Sequence, residues 1–109
     1  MVDVLPDLEK IRGKFDDPTV QEKMTGFTKA IQFVFPDITK TYVLSIQNGK
    51  NATLEEKALE KPDIMITWAS DVFLGIQNKT VNPTTAFMSG KLKVKGSMDD
   101  LMKLQKFMM

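Results

Sequence analysis

Apolar and polar positions alternate along five stretches of this chain, and a helical spacing of apolar residues fills most of what lies between. In Lys29–Phe35, Ile31, Phe33 and Phe35 share one side, with Ala30, Gln32 and Val34 on the other. Pro36-Asp37 ends that strand. Lys40–Gln47 alternates in the same way, with Tyr42, Leu44 and Ile46 together. Asn48-Gly49 is the strongest hairpin signal in the sequence and pairs 40–47 with 50–56. The second partner, KNATLEE, is polar on both sides and reads as an edge strand. Ile64–Trp68 sets Ile64, Ile66 and Trp68 against Met65 and Thr67. The last alternating stretch, KLKVK at 91–95, turns Leu92 and Val94 inward and three lysines outward. An edge strand with a basic outer face explains these lysines, and contact with phosphate or anionic lipid is the other reading.

Helical patterns surround these strands. Val4, Leu5, Leu8, Ile11 and Phe15 follow an approximate helical period, with Pro6 in the first turn. Asp16-Asp17 before Pro18 reads as a cap and a first-position proline, so 18–26 is a second helix or the far half of one kinked helix. Ser70 or Asp71 is expected to cap a helix running to Gln77. Its Val72, Phe73, Leu74 and Ile76 make it apolar on most sides, so it is nearly buried or lines something. Asn82-Pro83 opens a short helix containing Ala86, Phe87 and Met88, and Gly90 provides a left-handed stop. Gly96 breaks the fifth strand. Ser97 then caps a final helix with Asp99 and Asp100 in its first turn. The apolar residues of that helix, Met98, Leu101, Met102, Leu104, Phe107, Met108 and Met109, form a broad stripe. The predicted fold is α+β, a five-stranded, mostly antiparallel sheet covered by helices on one face. One domain is expected over residues 1–109.

Composition narrows the chemistry. A chain of 109 residues buries somewhat under ~70% of its unfolded surface, which supports one core and makes a large cavity costly. Fifteen basic and 14 acidic residues leave a net charge of +1, so nothing points to nucleic acid. Histidine and cysteine are both absent. Thiolate catalysis, disulfides, histidine triads and nearly all zinc sites are thereby excluded. The carboxylates come as neighbours, Asp16/Asp17, Glu55/Glu56 and Asp99/Asp100, and adjacent side chains diverge, so caps and surface charges account for them. Gly75, Gly90 and Gly96 lack the spacing of a phosphate loop. No catalytic residue, metal or cofactor is expected. No run approaches the ~18 apolar residues of a membrane span, and MVDVLPDLEK is not a secretory signal. A cytoplasmic location is expected. Methionine is the unusual count: of eight, five are Met88, Met98, Met102, Met108 and Met109. Such side chains adapt to varied apolar partners, and they also fill gaps in ordinary cores.

The ordered motifs NGK (48–50), PDIMITW (62–68), SDVFLGI (70–76), NPTTAFMSGKLKVKG (82–96) and MDDLMKLQKF (98–107) resemble the sterol carrier protein (type two) domain family. The resemblance covers about residues 27–107. It implies a five-stranded sheet and helices enclosing an apolar tunnel that holds a sterol, fatty acid, fatty acyl-CoA or phospholipid. Carried onto this sequence, it makes Trp68, Phe73, Ile76, Phe87, Met88, Met98, Met102 and Met108 the expected lining residues. The carboxy-terminal KFMM is not the peroxisomal tripeptide found in animal members. The tail that covers the tunnel in some members is not expected, so a more open tunnel or a covering second subunit follows.

These readings converge on a non-enzymatic carrier of a fatty acid, fatty acyl-CoA, sterol-like or isoprenoid lipid. Membrane contact is expected to be transient at most, with a homodimer as the assembly to test. The competing expectation is an interaction or dimerisation module with a filled core and no ligand.

Overall fold

The structure is a computed structural model that describes residues 3–97, 99, 100, 102 and 103. Two helices come first, α1 (Leu5–Lys14) and α2 (Pro18–Lys23). They are separate, because Phe15–Asp17 turn out of the helical path and Asp17 caps α2, its carboxylate accepting from Thr19 N–H at 2.8 Å. The strands follow as β1 (Lys29–Phe35), β2 (Lys40–Gln47), β3 (Lys50–Glu56) and β4 (Ile64–Trp68). Helices α3 (Ser70–Gln77) and α4 (Pro83–Met88) then lead to β5 (Leu92–Gly96). Asn82 caps α4 as its sequence position predicts, accepting from Thr85 N–H at 3.1 Å. Residues 99, 100, 102 and 103 are helical, and Ser97 Oγ accepts from Asp100 N–H at 3.4 Å. The rest of the expected last helix, including Met98 and Met108, lies outside the described residues.

The strand order is β3-β2-β1-β4-β5. Three neighbouring pairs are antiparallel, and β1 with β4 is parallel, Phe33 opposite Ile66. A parallel pair needs a crossover, and the chain from β2 through the loop after β3 supplies it. Both polar strands, β3 and β5, are edges, as their exposed lysines and glutamates require. The β2–β3 turn has Asn48 at φ 52° and Gly49 at φ 75°, the backbone that tight hairpins demand. Its tip is also anchored. Asn48 Oδ1 accepts from Gly26 N–H at 2.6 Å, and Gly49 N–H donates to Phe27 O at 2.9 Å.

One apolar cluster occupies one face of the sheet. Ile31, Phe33, Phe35, Tyr42, Leu44, Ile46, Ile64, Ile66 and Trp68 rise from the strands to meet Leu8, Ile11 and Phe15 of the α1 segment and Val72, Phe73 and Ile76 of α3. Gln32 and Val43 are buried on the opposite face. Gln32 is satisfied there, its Oε1 accepting from Leu59 N–H at 2.7 Å. The helices therefore cover one face, as the strand alternation predicts, and the loop at Leu59 covers a small part of the other. No tunnel is seen among the described residues. Phe15, Phe33, Phe35, Trp68 and Phe73 fill the space between sheet and helices, each 2% exposed or less. A chain this small has few apolar side chains to spare for walls alone, and close packing of those it has is the low-energy arrangement.

Candidate functional site

Four aromatic rings of the interior meet where β4 passes into α3. Trp68 ends β4 on its inner face, and one residue later the chain turns into the helix that carries Phe73. Their ring centroids are 5.0 Å apart. Phe33 stacks on Trp68 at 6.1 Å with the planes 10° apart, and Phe35 does so at 6.2 Å. Phe35 also meets Phe73 edge-on at 5.4 Å. Each such pair adds about 0.5–1.5 kcal/mol beyond the area it buries.

The start of α3 is held from a distance. Although Asp71, inside the first turn, accepts from Val72 N–H at 2.9 Å, neither Ser70 nor Asp71 sits at the N-cap. That position is Ala69, whose side chain has nothing to donate or accept. Asp37, from the turn after β1, does this work. Its carboxylate accepts from Ser70 N–H at 3.0 Å and from the Ser70 hydroxyl at 2.5 Å. The bond from the Ser70 hydroxyl is the main reason the Asp37 carboxyl titrates below its ordinary range, against a smaller opposing effect of burial. At the other end of α3, Thr80 and Val81 N–H groups donate to Gly75 O at 2.8 and 3.0 Å. A Cβ on Gly75 would sit 2.4 Å from Val81 Cγ2, so any larger residue here would force Val81 to move off the helix.

Of the expected lining residues, Trp68, Phe73 and Ile76 come together in this cluster, at 2%, 0% and 3% exposure. Phe87, Met88 and Met102 are 46%, 82% and 62% exposed. Helix α4 buries Ala86 alone, which turns Phe87 and Met88 outward. Phe33 and Phe35 share the Trp68 cluster and were not among the expected lining residues. Their signal was present in the alternation of β1, which sets both on the face shared with Trp68.

One polar atom in the interior stands out. The indole Nε1 of Trp68 is buried and has no hydrogen-bond partner among the described residues. An unmet buried donor costs about 1–3 kcal/mol. A shallow groove of about 260 Å³ runs beside α4, lined by Thr80, Val81, Asn82, Thr85, Ala86, Ser89 and Lys91. It is small, and both apolar and polar side chains line it. Among the described residues no group of three or more acidic side chains could hold a metal ion, and no helix is long and apolar enough to cross a membrane.

This fold, helices over one face of a mixed five-stranded sheet, recurs in solved structures of sterol carrier protein 2 relatives. The solution structure of palmitated SCP2L2 from Aedes aegypti matches with a TM-score of 0.72 at 19% identity, covering 98% of this chain and 95% of that one. The sequence itself matches the SCP-2 sterol transfer family over residues 8–109, and the chain belongs to that family. Sterol carrier protein 2 of Homo sapiens is 39% identical over 94 residues, 79% of this chain and 17% of that protein. Hydroxysteroid dehydrogenase-like protein 2 of Xenopus tropicalis is 34% identical over 91 residues, 82% of this chain and 22% of that protein. The chain thus spans less than a quarter of either relative.

Proposed function

We propose that this domain is a non-enzymatic lipid carrier that takes a fatty acid, fatty acyl-CoA, sterol-like or isoprenoid lipid into its apolar interior. The observation that carries the reading is the buried aromatic cluster of Trp68, Phe73, Phe33 and Phe35 beneath α3, in a chain of the SCP-2 sterol transfer family. A palmitated relative of the same fold supports it. Ile76 extends the cluster, and Phe87, Met88, Met98, Met102 and Met108 are the side chains proposed to complete the wall around a bound chain. The driving force is transfer of hydrocarbon out of water, about 0.8 kcal/mol for each methylene buried. No acid–base pair, nucleophile or metal set is invoked, and a cytoplasmic location goes with this reading.

The test is native mass spectrometry of the purified protein, followed by melting curves with palmitate, its CoA ester and an isoprenoid. A co-purified lipid mass, or a rise of several degrees with one ligand class, is expected, because a ligand bound only by the folded state stabilises it. Unmoved melting curves across the panel, with no bound mass, sink the proposal.

A second reading has its own support. The filled interior and the exposed Phe87, Met88 and Met102 suit an interaction module that dimerises and holds no ligand. Polar substitution of Met88 and Met102 separates the two readings: loss of a dimer without change in lipid retention favours the module.

A further inference from the structure

The buried polar side chains of the interior are met by named partners, with one exception. Gln32 accepts from Leu59 N–H, and Ser70 is bound through both its N–H and its hydroxyl to Asp37. Trp68 alone leaves a buried donor unmet among the described residues. Its indole is only 2% exposed, so solvent does not satisfy it from outside. The rings against it, Phe33, Phe35 and Phe73, offer no acceptor oxygen and no charge. An indole nitrogen only donates. A ring face is at best a weak acceptor, so a full hydrogen bond needs a lone pair from elsewhere.

We infer that the indole N–H of Trp68 is the polar reader of the binding site, donating to an uncharged oxygen of the bound lipid, the carbonyl of an ester or ketone or a hydroxyl. The inference rests on the carrier reading above and adds to it the chemical feature selected within an otherwise apolar interior. An ionised carboxylate fits poorly at this point. Burying a charge among three phenyl rings is far more unfavourable than burying a neutral carbonyl. A plain hydrocarbon fits by shape but leaves the N–H unmet. A neutral oxygen satisfies the donor and brings no charge, so discrimination arises from the group left unpaired when the wrong ligand enters.

Trp68 is the chain's single tryptophan, so its indole N–H gives one resolved proton resonance without site assignment. The experiment titrates isotope-labelled protein with methyl laurate and with tetradecane, which match in chain length, and repeats both with Trp68→Phe. Methyl laurate is expected to shift the indole N–H resonance downfield, and tetradecane to leave it nearly in place. The affinity ratio of ester to alkane is expected to fall about tenfold in Trp68→Phe, as for one lost hydrogen bond. A resonance that stays put while methyl laurate saturates the protein overturns the inference and leaves the carrier reading intact. An unchanged affinity ratio in the variant does the same. Should Trp68→Phe fail to fold, the resonance of the unaltered protein decides alone. If neither compound binds the unaltered protein, the carrier reading fails and this inference fails with it.

Discussion

Asp37 and Ser70 are 33 positions apart in sequence and joined by two hydrogen bonds, one to the serine N–H and one to its hydroxyl. The contact ties the β1–β2 turn to the first residue of α3, the helix that carries Phe73. Asp37→Ala is expected to lower stability by about 1 kcal/mol, the usual loss when a helix-capping acceptor is removed. The same pair predicts an acid response. Bonding to Ser70 depresses the Asp37 carboxyl. Its stabilisation is therefore fully present above the unfolded value of about 3.9 and is lost as the pH falls through the lower folded value. Urea titrations at neutral pH and at successive steps below about pH 4 check this. Asp37→Asn should flatten the acid limb relative to the unaltered protein, and an identical limb in both would rule the contact out as its source.

Gly49 and Gly90 have nearly the same backbone, with φ 75° and φ 79°, but different surroundings. A Cβ at Gly49 would lie 2.6 Å from Met24 O, whereas a Cβ at Gly90 meets nothing within 4 Å. Alanine at Gly90 should therefore carry only the left-handed penalty, about 1 kcal/mol. Alanine at Gly49 adds a clash with backbone that cannot rotate away, and should cost at least about 2 kcal/mol. Denaturant midpoints of the two variants decide it. Equal losses would mean that the hairpin tip is not seated against the α2–β1 connection.

These two cases show what can be read from a sequence and what cannot. Alternation within a strand is local, so the limits of β1, β2, β3 and β4 match the pattern. The caps at Asp17 and Asn82 lie within three residues of what they hold, and both were legible. The Asp37 cap was not, because it crosses 33 positions and competes with two nearer candidates, Ser70 and Asp71. The parallel pairing of β1 with β4 was likewise hidden, since alternation fixes which side chains share a face and says nothing of strand neighbours. For the site, the pattern placed Trp68, Phe73 and Ile76 inward. It could not tell a lining face from a packed one, because both are apolar at the same spacing. It also could not reveal that the indole nitrogen lacks a partner among the described residues, which depends on every neighbour at once.

Phe73 and Phe87 belong to the same set of candidate lining residues and differ in burial, at 0% and 46% exposure. Phe73→Ala removes a ring packed on Trp68 and Phe35 and is expected to cost about 3–5 kcal/mol, the range for emptying a core aromatic site. Phe87→Ala should change stability by less than about 0.5 kcal/mol, as surface changes generally do. If Phe87 completes the wall around a bound lipid, its variant weakens lipid retention while melting normally without ligand. Thermal melts with and without palmitate separate these effects. A Phe87 variant that loses stability in the absence of lipid would count against its role as an outer wall.

Gln32 holds the far side of the sheet to its covering loop. It is 6% exposed, its Oε1 accepts from Leu59 N–H at 2.7 Å, and its Nε2 lies 3.8 Å from Met65 Sδ. The exposed lysines 57 and 61 flank this contact. Gln32→Leu keeps the apolar volume but leaves the Leu59 N–H without its acceptor, at a cost of about 1–3 kcal/mol where the group stays buried. The loop can lower that cost by lifting Leu59 into water, so the consequence is local opening more than global loss. Limited trypsin digestion should then cut after Lys57 or Lys61 several times faster than in the unaltered protein, with the global melting temperature falling only slightly. Cleavage at unchanged rates, with a large fall in melting temperature, would instead make Gln32 a core packing residue whose amide is incidental.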